Sequence, residues 1–216
     1  MNKLVYGVGT NDLPYRTQVY EDVTKNGGKR IRKTVFLCPY YTAWKHMLER
    51  CYSENSLESR PSYVGTSVCN EWVYASEFKK WMEQQDWEGK SLDKDIIVPR
   101  SQLYSPETCA FVLKATNLFV IASDAIRGEY PIGVYLHKQT GKYRARCRNP
   151  FTEKKESLGY FSTPEEAHEA WRKRKHEIAQ LVAATESDPR IVEALKKWYS
   201  LEEGLYRTLC KAYALP

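Results

Sequence analysis

The alternating stretch KYRARCR at residues 142–148 limits the possible folds of this chain more than any other feature. Side chains of a β-strand point to opposite faces in turn, so the pattern predicts a strand with Arg144, Arg146 and Arg148 on one face. The residues between them would pack on a core. Three guanidinium groups on one face repel each other unless an anion covers them, so the strand predicts an anionic partner.

Two further strand-like runs and a helix accompany this strand. Ile132–His137 precedes it and Lys155–Phe161 follows it, with Gly- and Pro-containing turn signals between them. Thr163, followed by proline and two glutamates, is typical of a helix start, because it combines an N-cap with acids near the positive end of the helix dipole. We expect the helix to run to about Ala183. The residues that would pack it against the sheet are Ala167, Ala170, Trp171 and Ile178.

The outer face of this sheet is predicted to bind double-stranded DNA. Lys and Arg number 33 against 27 Asp and Glu, a net charge of +6 that favours a nucleic-acid partner without deciding it. A sheet of this width can enter the major groove. The predicted DNA-binding residues are Tyr135, His137, Lys142, Arg144, Arg146, Arg148, Lys155 and Ser157. The alternative is a solvated basic face with no partner. A second basic run at residues 172–175 would either flank phosphates or be solvated.

The strings GVYLHKQTGKYRARCR and SLGYFSTPEEAHEAW resemble the APETALA2/ethylene-response-factor DNA-binding domain. The motifs that match in order and spacing are Gly133-Val134, Gly141-Lys142-Tyr143, Leu158-Gly159-Tyr160-Phe161 and Glu165-Glu166-Ala167. The resemblance implies that the sheet reads DNA. Its contact positions would be Tyr135, His137, Arg146, Arg148, Lys155 and Ser157. The aromatic and arginine residues of plant members in strands one and three are replaced here, so no sequence preference is implied.

The remainder of the chain is predicted to mix helices and strands. The expected strands are Leu4–Val8, Gln18–Val23, Ile31–Phe36 and Ser91–Val98, with Asn26-Gly27 as a turn signal. The expected helices are Tyr40–Tyr52, Ala75–Gln85 and Pro189–Tyr213. In the first helix, apolar residues recur at helical spacing and predict one buried stripe: Tyr41, Trp44, Met47, Leu48 and Cys51.

The central strings YTAWKHMLERCYS, SVCNEWVYASEFKKWM, SLDKDI and YSPETCAFV resemble bacteriophage proteins related to HNH homing endonucleases. In that group an APETALA2-like module often follows the nuclease segment, and the order of the segments is the same here. The resemblance implies a ββα-metal domain that uses Mg²⁺ or another divalent metal to hydrolyse a phosphodiester. In such a site Asp93, Asp95 and Asn117 would hold the metal, and Lys94 stands where HNH enzymes place the general-base histidine.

The lysine at the general-base position leaves three alternatives open. A lysine is protonated near neutral pH and is a poor base unless its pKa is strongly lowered. The chain is then a divergent nuclease that uses these residues, a nuclease whose general base lies elsewhere in the chain, or a protein that keeps the nuclease fold without catalytic activity. Asp93 and Asp95 could equally form a turn or a salt bridge with Lys94 and Arg100.

The cysteines and the hydropathy pattern bear on cofactors and compartment. The six cysteines lack a Cys-x-x-Cys pair and are Cys38, Cys51, Cys69, Cys109, Cys147 and Cys210. Free thiols are therefore expected, and structural Zn²⁺ has little support, although a site from the first four stays open. With no apolar run near 18 residues and no secretory leader, we expect no membrane partner and a cytoplasmic location, in the host cell if the chain is phage-encoded.

Together these patterns predict an α+β protein with a ββα-metal (HNH-like) central domain and a three-stranded antiparallel sheet with one packed helix. The expected segments are 1–36, β-rich; 37–127, HNH-like nuclease; 128–183, APETALA2-like; and 184–216, helical. The leading hypothesis is a phage-type homing endonuclease, and the alternative is a non-catalytic DNA-binding regulatory or accessory protein with a degenerate HNH domain. The last helix would complete the second domain or mediate a homodimer or another protein contact.

Overall fold

A computed structural model describes residues 4–24, 30–120 and 129–197. The chain divides into two compact units. The first comprises Met1–Glu88 and Ser101–Phe111, and the second comprises Gly89–Arg100 and Val112–Pro216. The segment predicted as one domain over 37–127 therefore contributes to both units, and the predicted domain boundaries stay predictions.

The described elements are short strands and mostly short helices. The strands are β1 Gln18–Thr24, β2 Arg30–Leu37, β3 Ser67–Val68, β4 Ser91–Asp93, β5 Leu103–Tyr104, β6 Ala110–Val112, β7 Val134–His137, β8 Lys142–Arg148 and β9 Lys155–Phe161. The α-helices are α1 Pro39–Tyr52, α2 Glu54–Ser59, α3 Ala75–Met82, α4 Lys114–Val120, α5 Pro164–Ala183 and α6 Pro189–Lys197. Single 3₁₀ turns lie at Pro61–Tyr63 and Glu71–Val73. The mixed α and β class is confirmed, whereas a ββα-metal arrangement is not confirmed.

The first unit is built around the aromatic and apolar face of α1. Proline at the first helical position starts this helix, and its stripe of Trp44, Met47, Leu48 and Cys51 is buried as predicted, with Tyr41 half-buried. The indole of Trp44 donates a hydrogen bond to the Trp72 carbonyl oxygen at 2.7 Å. Apolar packing therefore stabilises this core, and the buried indole N–H has the hydrogen-bond partner that it needs.

The N-terminal residues of the first unit differ in part from the prediction. Strands β1 and β2 pair as an antiparallel hairpin, as expected. Residues 4–8 do not form a strand but a tight turn closed by a bridge between Val5 and Gly9, because Tyr6 and Gly7 both have positive φ. The Asn26-Gly27 turn signal lies outside the described residues.

The second unit contains the predicted three-stranded sheet with one packed helix. Strands β7, β8 and β9 are antiparallel in that order, so the middle strand is KYRARCR. Helix α5 begins with a capping box. The Thr163 hydroxyl accepts a hydrogen bond from the backbone N–H of Glu166, whose carboxylate accepts one from the Thr163 N–H. The predicted strand bounds agree fully for β8 and β9.

Helix α5 covers one face of the sheet. Val134, Ala145 and Ala167 form the centre of this contact, and Ala170, Phe161 and other half-buried side chains surround it. Trp171 and Ile178 of the same helix are also buried, as predicted. Gly133 lies so close to the Trp171 indole that any side chain at this position would overlap the ring.

The second unit extends beyond the sheet and α5. The Lys175 ammonium group of α5 donates a hydrogen bond to the Phe119 carbonyl oxygen in the last turn of α4, at 2.6 Å. Ile191 and Leu195 of α6 are buried, and α6 contacts α5. The predicted closing helix is described only as far as Lys197, and its remainder to Tyr213 lies outside the described residues. The predicted homodimer or protein contact through it stays a prediction.

Within the part of the chain that the structure describes, none of the helices combines the length and the apolar character needed to cross a membrane.

Candidate nucleic-acid interface

The face of the β7–β9 sheet that is turned away from α5 carries all eight residues predicted to bind DNA. The middle strand fixes the two faces, because Ala145 and Cys147 are buried under α5 while the intervening arginines are half-buried or exposed. Residues directly opposite each other on paired strands share a face. The cross-strand pairs of this outer face are Tyr135 with Arg144, His137 with Lys142, Arg146 with Ser157, and Arg148 with Lys155.

A ninth residue, Tyr160, joins this face because of a β-bulge. Strict alternation along β9 would place Phe161 outside with Ser157, and Tyr160 inside. The register shifts between Ala145 and Arg146 of β8, so Leu158 is an extra residue in β9. The bulge resets the alternation, which turns Tyr160 outward opposite Arg144 and Phe161 inward onto the core. The sequence signal that could have revealed it is the glycine at 159, whose φ of +123° few other residues adopt.

Arg144 is held in a defined orientation at the centre of the face. Its Nε donates a hydrogen bond to the Ser157 hydroxyl at 3.1 Å. Its guanidinium carbon lies 5.6 Å from the centre of the Tyr160 ring, within the range of a cation–π contact. The ring of His137 meets the same tyrosine edge-on at 5.1 Å. The outer face therefore has a cluster of one arginine with aromatic neighbours.

Arg146, the next arginine of the strand, differs from Arg144 at the same atom. Its Nε is buried and has no hydrogen-bond partner among the described residues. A buried donor without an acceptor costs about 1–3 kcal/mol.

The cations of the outer face are not neutralised by the described part of the chain. Arg144, Arg146, Arg148 and Lys155 form no ion pair with any carboxylate in the described ranges. Glu156, which lies between Lys155 and Ser157, points to the helix side of the sheet. The outer face is therefore a concentrated positive surface.

The basic run of α5 behaves differently from the sheet. Arg172 donates two hydrogen bonds to the carboxylate of Glu169. Arg174 is paired with Glu156 at 2.8 Å and with Glu177 at 2.9 Å, and the bond from Arg174 lowers the pKa of the Glu156 carboxyl. Lys175 is buried. Two alternatives were predicted for this run, phosphate contact and a fully solvated face. Neither includes these contacts with glutamates of the same chain.

Three of the four residues predicted as a nuclease site, Asp93, Lys94 and Asp95, lie in a compact turn. One oxygen of Asp93 accepts hydrogen bonds from the backbone N–H groups of Asp95 and Ile96, at 2.9 and 2.7 Å. This side-chain turn ends β4 after three residues, so the predicted strand 91–98 is wrong beyond Asp93. Burial, followed by the neighbouring Asp95 carboxylate, raises the pKa of Asp93. Lys94 is buried, and its ammonium group contacts both oxygens of Asp95, at 2.8 and 3.0 Å.

The predicted metal site combines the carboxylates of Asp93 and Asp95 with the side-chain amide of Asn117. The described residues contain no group of three or more His, Cys, Asp and Glu side chains that could hold a metal ion. Asn117 lies on α4, and its amide oxygen is buried without a hydrogen-bond partner in the described ranges. An Asp95 carboxylate bound by Lys94 and an Asp93 oxygen bound by two amides are already engaged. The metal role predicted for Asp93, Asp95 and Asn117 stays a prediction.

The cysteines of the described ranges are thiols that form no disulfide with one another, as expected. Cys38, Cys51, Cys109 and Cys147 are buried, and Cys69 is half-buried. Burial raises the pKa of the Cys69 thiol, which disfavours the thiolate that binds metals. The sixth cysteine, Cys210, lies outside the described residues.

Comparison with known proteins finds one kind of similarity. The chain is 39% identical over 56 residues to Ethylene-responsive transcription factor ERF117 of Arabidopsis thaliana. The match covers 26% of this chain and 17% of the plant protein, so most of both proteins lies outside it. No family model matches the chain. No solved structure matches it. The partial similarity supports a DNA-binding APETALA2-like region, and none of the comparisons supports the resemblance to phage HNH endonucleases.

Proposed function

We propose that the protein binds double-stranded DNA through the outer face of the β7–β9 sheet and acts as a non-catalytic DNA-binding protein. The observation that carries this proposal is the contrast between two sets of cations. Three of the four cations in the 172–175 run of α5 are paired with glutamates or buried, whereas the arginines of β8 have no carboxylate partner in the described residues. A row of unneutralised guanidinium groups is the arrangement that a polyanion stabilises.

The dimensions of the sheet fit the major groove. Neighbouring strands lie about 4.8 Å apart, so the backbone of three strands spans about 9.6 Å. The major groove is about 12 Å wide and exposes hydrogen-bond acceptors of the bases on its floor. In this arrangement Arg146, Arg148 and Lys155 bind phosphates. The exposed rings of Tyr135 and Tyr160 contact the groove from the same face.

The partial similarity to a plant protein named as a transcription factor agrees with this proposal. It favours a DNA-binding role over cleavage. The similarity covers 26% of the chain and therefore concerns one region rather than the function of the whole protein.

Titration of a fluorescent random-sequence duplex at several salt concentrations tests the proposal. We expect the logarithm of the affinity to fall linearly with the logarithm of the salt concentration, with a slope of about −0.9 for each phosphate neutralised. Arg148→Ala should make that slope shallower by about 0.9, because it removes one exposed cation from the interface. Lys173→Ala is the matched control, since it removes an exposed charge from α5. A wild-type protein that does not bind duplex DNA, or equal effects of the two variants, would refute the proposal.

Cleavage is the alternative to a purely binding role, and it has a separate test. Supercoiled plasmid is incubated with the protein in Mg²⁺ or Mn²⁺, beside the Asp93→Ala variant. We expect no nicking above the level of the variant, because Lys94 binds the Asp95 carboxylate and two backbone amides bind one oxygen of Asp93. Metal-dependent nicking that Asp93→Ala abolishes would instead establish the endonuclease function.

A further inference from the structure

We infer that the β1–β2 hairpin binds the same hairpin of a second copy of this chain, so that the two pack face to face and form a homodimer. The inference goes beyond the proposed DNA-binding function and does not depend on it. It also differs from the predicted dimer contact through the closing helix, because it uses another part of the chain.

The first observation is that the hairpin is exposed along its whole length. All residues of β1 and β2 except Gln18 and Ile31 are exposed. An isolated two-stranded hairpin is only marginally stable in water and gains stability when a hydrophobic face is covered. The large hydrophobic residues among the exposed ones are Val19, Tyr20, Val23, Val35, Phe36 and Leu37. So many in one hairpin form a patch rather than scattered side chains, and such patches mark interaction sites.

The second observation is that the hairpin has two unlike faces. Residues directly opposite each other on the two strands share a face. One face, which we call the contact face, consists of the pairs Val19 with Phe36, Glu21 with Lys33, and Val23 with Ile31. It is therefore apolar at both ends and has one acid and one base at its middle.

The opposite face is mostly polar, and its side chains contact one another. It consists of the pairs Gln18 with Leu37, Tyr20 with Thr34, Asp22 with Arg32, and Thr24 with Arg30. Arg32 lies 3.8 Å from the Asp22 carboxylate and 5.8 Å from the centre of the Tyr20 ring. The Tyr20 hydroxyl donates a hydrogen bond to Gln18 at 2.6 Å. The contact face is thus the less polar side of an amphipathic hairpin.

The charges of the contact face favour a second copy over a polyanion. Glu21 and Lys33 contribute one charge of each sign, so the face lacks the excess of cations that binds nucleic acid. Neither residue forms an ion pair in the described ranges. A symmetric dimer uses the same surface twice, so that surface must be complementary to itself.

A two-fold axis that runs along the hairpin satisfies this condition. It places β1 of each copy over β2 of the other, as in two sheets that pack face to face. Each Glu21 then meets Lys33 of the partner subunit, so both charged contacts are attractive. The valines of β1 meet the apolar residues of the other β2 in the same arrangement. The contact face is therefore complementary to itself in both charge and hydrophobicity.

The size of the contact face sets the expected affinity. It has six residues in each copy, whereas a standard interface has about 20–30 residues a side. We therefore expect a weak dimer, with a Kd in the micromolar range, whose population rises with protein concentration.

Charge reversal within the contact face tests the inference by sedimentation equilibrium of the full-length protein without DNA. Glu21→Lys and Lys33→Glu each turn both charged contacts of the dimer into like-charge contacts. Each variant alone should dimerise at least about tenfold more weakly than the wild type. An equimolar mixture of the two should dimerise like the wild type, because every lysine again meets a glutamate.

The mixture distinguishes a contact between copies from an effect within one hairpin. Each variant also places like charges opposite each other in its own hairpin, and mixing cannot repair that. Asp22→Lys and Arg32→Glu are the matched controls, since they make the same reversals on the opposite face. Both should dimerise like the wild type. Phe36→Ser, which removes an apolar side chain that is 47% exposed in the single copy, should weaken the dimer at least about tenfold.

Three results would overturn the inference. They are a wild-type protein that stays monomeric into the millimolar range, a dimer that survives both reversals in the contact face, and a mixture that stays monomeric while the control variants dimerise. The wild-type result bears on the hairpin alone, because duplex binding by the β7–β9 sheet is measured separately.

Discussion

Replacement of Gly133 by alanine should lower the free energy of unfolding of the second unit. The loss should exceed that of any other glycine-to-alanine substitution in its sheet. Gly133 has a φ of +84°, where an L-residue costs roughly 1–2 kcal/mol. Its added Cβ would also overlap the Trp171 indole, which is buried under the sheet and cannot retreat without disturbing the core. Overpacking of this kind costs typically about 1–3 kcal/mol. The two effects together predict a loss of about 2–5 kcal/mol.

Gly141→Ala is the matched control for this substitution. Gly141 has a φ of +66°, and nothing lies within 4 Å of the point that an added Cβ would occupy, so its replacement incurs the backbone strain alone. Urea or thermal unfolding followed by tryptophan fluorescence gives both values. For a domain of about 100 residues each 1 kcal/mol lowers Tm by roughly 4–8 °C, so Gly133→Ala should lower it by at least about 8 °C. If Gly133→Ala destabilises no more than Gly141→Ala, the packing against Trp171 is not as the structure shows.

Two further predictions concern α5. Thr163→Ala removes the capping hydroxyl and should cost about 0.5–2 kcal/mol in urea unfolding, whereas Thr163→Ser should retain most of the stability; equal stability of all three proteins would exclude the capping role. Burial lowers the pKa of Lys175 to about 8 from its ordinary 10.5. Between these two pH values the lysine is protonated in the unfolded chain and largely neutral in the folded one. The free energy of unfolding should therefore rise with pH from about 8 to 10. Unfolding free energies measured against pH should show this rise in the wild type and not in Lys175→Met; parallel curves would contradict it.

The elements that sequence patterns predicted well are those whose signals are local. The alternation in 142–148 and the capping residues at the start of α5 act over two to three positions, so they do not depend on the rest of the fold. The prediction failed for 91–98, where apolar and charged residues suggested one strand. There the Asp93 side chain competes with the sheet for backbone N–H groups and turns the chain after three residues.

Local sequence patterns are enough to predict a basic strand that is flanked by two strand-like partners and followed by a capped helix, because hydrophobic alternation and helix capping are local properties. Which side chains meet on the outer face depends instead on how the three strands pair. The bulge at Leu158 brings Tyr160 to the same side as Ser157, and both to Arg144 across the strand boundary. These contacts join residues 13 or more positions apart, and a shift of one residue in register would move them to the other face of the sheet.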